Sequence, residues 1–264
     1  LNIYFRELKS NLKSLFIWSA CLSALFTIWI MEFSAFHGNP ELTRILDSVP
    51  QAMLKVFSMH TLNLSTLSGF IVLVMQYVII LLGIHAVLLG SSILAKEERG
   101  RTAEFLYSLP VKRNKVVFHK MLAGITICVL LLAVSISVVV INSMQYEPNA
   151  FFFEAIKDTA AAVFIVQMIF FSIGIFISSI MKRYKKSGSY AVGVFIGAYI
   201  ISVLIGFSEK LEFLKYATPF KYFEPVLIIN EGRFESIYVI ISVCIIAFCF
   251  IGTYILYPRR DLNI

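Results

Sequence analysis

The sequence predicts an all-α integral membrane protein with six transmembrane helices, an N-terminal interfacial helix, and a cytoplasmic helix between spans two and three. Three observations lead there. Of 264 residues, 59% are hydrophobic and only 15% charged, whereas soluble domains carry about 25% charged residues. The mean hydropathy is +0.83. The charges cluster between long apolar runs that a soluble domain of this size cannot bury, so lipid is the expected solvent.

Six apolar segments approach the roughly 20 residues that a spanning helix needs. They lie at about 15–35, 67–94, 121–143, 158–181, 190–207 and 236–257, within one transmembrane domain over 1–264. The first contains an apolar run 17 residues long, Leu15 to Met31, after a basic stretch. That is long for a signal h-region, and no A-x-A site follows, so a retained first span is expected. With the N-terminus inside, the inner segments carry 16 Lys and Arg and the outer segments 7. Both termini are therefore expected in the cytoplasm, with the chain multi-pass in the cell (plasma) membrane. Basic loops facing anionic membrane lipid also explain the net charge of +7. Nucleic acid is not an expected partner, because no basic run alternates with a stacking surface outside the spans.

At the N-terminus, Leu1, Phe5, Leu8, Leu12 and Leu15 recur at helical spacing, while Asn2, Arg6, Lys9 and Lys13 recur on another face. Such a helix is expected along the inner membrane surface, with Arg6, Lys9 and Lys13 toward lipid headgroups. Outside, Asn39 and Pro40 read as a helix start, with Leu42, Ile45, Leu46 and Val49 as its apolar stripe up to Pro50. Asn63-Leu64-Ser65 matches a glycosylation sequon, a short and weak signal. A second outer segment, Leu214 to Arg233, is crowded with aromatic residues and prolines, as suits a broken interfacial helix. Small residues four apart mark close helix contacts: Ala86 and Gly90, Gly174 and Ser178, Gly193 and Gly197. The cysteines Cys21, Cys128, Cys244 and Cys249 all fall in apolar runs and read as packing residues. No metal site is expected from them.

The stretch between spans two and three is the most informative. It runs from Ala95 through Glu97, Glu98 and Gly100 to Thr102, Glu104, Phe105, Leu106, Ser108, Pro110, Val111, Arg113 and Lys120. Gly100 breaks the preceding helix, Thr102 caps a new one with Glu104 in its first turn, Pro110 ends it, and Asn114 caps the next. The product is a short helix held crosswise between two spans. At these residues the chain resembles the ABC-type-2 permease family, whose pattern is acidic residues, a Gly-Thr-x-Glu helix start, and a Ser-x-Pro-Val/Ile-x-Arg turn followed by a Lys. Arg101 departs from it by separating Gly100 from Thr102. The resemblance extends weakly over the six spans, the Ala217 to Phe223 stretch and the Tyr257-Pro-Arg-Arg-Asp261 ending.

The resemblance implies a coupling helix docked on an ABC ATP-binding subunit through Glu97, Glu98, Thr102, Glu104, Phe105, Leu106, Pro110 and Arg113. It also implies a second permease copy or paralogue, and export as the direction. The sequence has no Gly-x-x-x-x-Gly-Lys-Ser/Thr loop, so the chain is expected to be non-catalytic, without a cofactor of its own; ATP and Mg belong to the partner subunit. No Asp, Glu, Lys or Arg lies mid-span, which argues against the alternative of an ion-coupled secondary carrier or channel. A membrane-embedded enzyme is weaker still, since His37, His60, His85 and His119 form no recognisable catalytic spacing. The polar residues available to a pathway are few. Gln76, His85 and Gln167 lead them, with Ser135, Ser137, Ser172 and Ser202, and so sparse a lining suits hydrophobic or amphipathic cargo such as a peptide, drug or lipid.

Overall fold

A computed structural model describes residues 2–37, 64–99, 112–181, 184–231 and 234–259. Among them there are helices and turns but no strand. Six helices are long and apolar enough to cross a membrane. These are α1 (Asn2–Phe36), α2 (Leu67–Ile93), α4 (Arg113–Ser143), α5 (Ala150–Ile180), α6 (Tyr184–Phe207) and α9 (Ser236–Leu256). Short helices α3 (Lys96–Arg99), α7 (Pro219–Tyr222) and α8 (Pro225–Glu231) lie between them.

The helices end close to the apolar runs but several start earlier. Span three begins at Arg113 rather than 121, and span four at Ala150 rather than 158. Hydrophobicity marks where lipid begins, whereas a helix begins where its first N–H groups find partners. For α5 that partner is Asn149, whose Oδ1 accepts from the Phe152 N–H at 3.0 Å. For α4, Lys112 occupies the cap position without a side-chain bond. Asn114 therefore lies inside the first turn and does not cap the helix.

A larger difference concerns the N-terminus. Residues 2–36 form one uninterrupted helix, so the amphipathic stretch carrying Arg6, Lys9 and Lys13 is the first turns of span one rather than a separate surface helix. No Gly or Pro separates the two parts, so nothing in the sequence stops the helix from propagating. At 1.5 Å per residue its 35 residues run about 52 Å, beyond the roughly 30 Å hydrocarbon core.

Helices α2 and α5 form the centre. Within the most apolar window of each, 61% of residues are buried, against 17% for α1, α6 and α9. Helix α4 joins this centre and carries α1 along its side. Tyr4 Oη lies 3.0 Å from Thr126 Oγ1, Asn142 Nδ2 donates to Thr27 Oγ1 at 3.2 Å, and Tyr146 Oη donates to the Ile30 carbonyl at 3.3 Å. The segment between α6 and α9 is broken as its prolines dictate. A 3-10 helix (Glu209–Ala217) is followed by α7 and α8, each starting on a proline. Phe220 seats this segment, its ring 5.2 Å from Phe170 of α5 and 5.4 Å from Phe195 of α6.

Candidate functional site

At the end of the bundle where α2 finishes and α4 starts, the last carbonyls of α2 have no intrahelical partner. Lys120, on the second turn of α4, reaches one of them: its Nζ donates to the Ile93 carbonyl at 2.7 Å. The same ammonium lies 2.6 Å from both carboxylate oxygens of Glu97 in α3 and 3.2 Å from Oε1 of Glu7 in α1. Lys120 is fully buried, with Glu7 2% and Glu97 3% exposed. Arg6, half exposed, sits 3.5 Å from Glu97 and balances the second carboxylate. One lysine thus ties four helices, α1 to α4, at a single point. Burying these charges is tolerated because they neutralise one another and share hydrogen bonds. Removing one partner from such a group typically costs about 3–5 kcal/mol.

Further bonds gather around the same end. Ser187 Oγ of α6 donates to the Ser91 carbonyl at 3.2 Å, and Tyr257 Oη to the Leu94 carbonyl at 3.5 Å. Arg113 Nη1 donates to the Pro258 carbonyl at 3.2 Å. Lys96 donates to Ser10 Oγ, and burial lowers its pKa below the ordinary lysine value. The end of α2 is therefore tied to α1, α4, α6 and the residues after α9.

Several residues expected on a docking surface sit elsewhere. Glu97 and Glu98 are each 3% exposed, with Glu97 committed to Lys120 and Arg6. In this conformation neither carboxylate is presented outward. Arg113 holds the chain beyond α9. Thr102, Glu104, Phe105, Leu106 and Pro110 lie outside the described residues, as does the Asn39 to Val49 stretch. Arg6, Lys9 and Lys13 are exposed along the first turns of α1. Sequence reasoning passed over Glu7. The signal was there: one acid among Arg6, Lys9 and Lys13, and a lysine at position 120 set among Val116, Val117 and Met121.

The small-residue motifs divide in two. Gly90 of α2 and Gly174 of α5 meet face to face. A Cβ on Gly174 would lie 2.5 Å from the Val87 carbonyl oxygen, and one on Gly90 would run into the Phe171 carbonyl oxygen. Ala86 and Ser178, their motif partners, are buried in the same contact region. Gly193 and Gly197 of α6 are different. A Cβ on either would meet nothing within 4 Å among the described residues.

The three polar residues singled out for a pathway are all within the bundle. Gln167 of α5 is fully buried, and neither its Oε1 nor its Nε2 has a hydrogen-bond partner among the described residues. Gln76 Oε1 and His85 Nδ1 of α2 are likewise buried and unpartnered among the described residues. The His85 ring packs edge-on against Trp18 of α1 at 5.1 Å. Buried polar atoms without partners are rare in folded proteins, and each calls for an explanation such as water or ligand. The axial register set by the Gly90–Gly174 contact puts Gln167 near the level of Gly83, about 3 Å along the axis from His85. Among the described residues no three His, Cys, Asp or Glu side chains group as metal ligands.

No curated protein matches the chain. A family model does: residues 1–262 match the one described as ABC-2 family transporter protein.

Proposed function

The chain belongs to the ABC-2 family of transporter proteins, and from that premise we propose that it is the membrane-spanning permease of an ATP-driven exporter. It works with a separate ATP-binding subunit, which holds ATP and Mg2+, and with a second permease copy or paralogue. Both termini lie in the cytoplasm, a reading supported by the 16 basic residues of the inner segments against 7 outside.

The observation that carries the proposal, beyond the family, is the Lys120 cluster at the root of segment 100–111. That segment leaves from α3 and returns into α4, and Lys120 joins those two helices to each other and to α1 and α2. A partner that moves the segment therefore moves four helices together, as a coupling device must. The unpartnered Gln76, His85 and Gln167 are the polar points of the pathway, satisfied by water or by amphipathic cargo in other states. The open face of Gly193 and Gly197 is where a second copy can approach α6 closely.

The test lies in the segment itself. Phe105→Ala removes an apolar anchor, and Glu104→Lys reverses a charge. Loss of one interface anchor weakens binding by about 2 kcal/mol, roughly thirtyfold. Both variants are expected at normal membrane abundance with the ATP-binding subunit lost on co-purification. Full co-purification and full ATPase stimulation in both would refute docking through this segment.

A further inference from the structure

At the end of the bundle opposite Lys120, a cleft of about 280 Å³ opens between the 3-10 helix Glu209–Ala217, α7, α8 and the first turn of α9. Its apolar wall is Ile205, Ile228 and Phe234, and its aromatic wall is Tyr222 and Tyr238, stacked with centroids 5.1 Å apart. Five charges line it. Two pairs cancel: Lys215 to Glu212 at 3.0 Å and Lys221 to Glu224 at 2.9 Å. The fifth is Glu235, three residues before Tyr238 and without an ion-pair partner among the described residues. The wider sequence keeps the same sign, since residues 208–235 contain five Glu against four Lys and Arg.

From this lining we infer that the cleft binds an ammonium group carried on an apolar body. The surplus carboxylate sets the sign of charge, and the tyrosine faces attract a cation by their quadrupoles. The apolar wall takes the body, in the usual division of a ligand pocket between a greasy lining and a few polar groups. The protein already places one ammonium in this way: Lys215 Nζ lies 5.6 Å from the Tyr216 ring centroid. That lysine holds its proton above the ordinary range, chiefly through its hydrogen bond to Glu212. Entry is from the bilayer side. Leu204, Phe207, Phe213, Leu227 and Ile237 are all exposed near the cleft, so an amphiphile reaches it without leaving an apolar surface. Two sources share this chemistry, a membrane lipid with an amine headgroup and an amphiphilic cargo. The site stands on its own geometry, whichever molecule the protein transports.

The experiment measures protection of a thiol in the cleft. Leu227, half exposed, lines it; it is changed to Cys in the full chain after Cys21 and Cys244, the exposed native thiols, are changed to Ser. The protein is reconstituted in phosphatidylglycerol vesicles, and its maleimide labelling rate is followed. Dodecyltrimethylammonium is expected to slow labelling, while dodecyl maltoside and dodecyl sulfate at equal bilayer load do not. Tyr238→Leu should weaken that protection about three- to fivefold, the scale of one exposed cation–π contact. Glu235→Gln should weaken it further, while Glu154→Gln, exposed on α5 and off the cleft wall, should leave it unchanged. Repeating the measurement with half the lipid as phosphatidylethanolamine separates the sources. Protection without added amphiphile identifies a lipid site, and protection only on its addition a cargo site. Equal protection by all three amphiphiles, or protection indifferent to Glu235→Gln, would overturn the inference.

Discussion

Lys120 is a residue whose worth depends on what surrounds it. Replaced by Met, it leaves Glu7 and Glu97 buried beside each other, with the half-exposed Arg6 and the Lys96 ammonium as the remaining cations near them. A stability loss of about 3–5 kcal/mol is expected, read as the equilibrium unfolding free energy in mixed micelles. Glu7→Gln should cost less, because Lys120 keeps both Glu97 oxygens and the Ile93 carbonyl. The triple variant Glu7→Gln, Glu97→Gln, Lys120→Met should recover most of the loss, since all three members of the group are then neutral. If the triple variant is no more stable than Lys120→Met alone, the ion cluster is not what holds these helices. The sequence displayed each of these charges, and Lys120 stood out as part of a family pattern. What it could not display was direction. The family resemblance implied a docking role for Glu97, and only the three-dimensional meeting of α1, α3 and α4 shows it facing inward.

Among elements, the pairing of α2 with α5 sets the bundle. Its contact is legible in sequence as two small-xxx-small motifs, because close backbone approach demands small residues whatever the partner. Which motif meets which is not legible, and α6 shows why. Gly193 and Gly197 obey the same spacing yet face open space among the described residues. The two cases separate by experiment. Gly90→Ala should cost about 1–3 kcal/mol, the usual penalty for overpacking, because the new methyl meets backbone that cannot swing aside. Gly193→Ala should leave the unfolding free energy unchanged or raise it by up to about 1 kcal/mol, as helix propensity favours Ala. Equal destabilisation by both would show that the α6 face is packed within a single chain. The helix starts illustrate a second limit: apolar runs locate the lipid boundary, and capping chemistry carries each helix past it.

Taken as a whole molecule, the chain has two chemically different ends, and the basic excess predicts which one faces the cytoplasm. Cysteines at Lys9 and Lys186 should be shielded from an impermeant maleimide in intact cells, and those at Lys210 and Glu212 should label. All four positions are exposed, so a failure to react reports sidedness rather than burial. Ser187, next to one of them, would mislead, being buried against α2. Labelling at Lys186 with protection at Lys210 would invert the orientation. The Lys120 cluster also has a consequence in time. Glu7 and Lys120 are 113 residues apart in the chain. A ribosome adding about 5–20 residues per second needs roughly 6–23 seconds to travel between them. Throughout that interval Glu7, and later Glu97, wait at the membrane surface without the lysine that will neutralise them. The first two spans are thus held in the bilayer by hydrophobicity alone, and their final register is fixed only when the third arrives. Biogenesis has a checkpoint at that moment: a nascent chain stalled before Lys120 displays two acids that a finished one conceals.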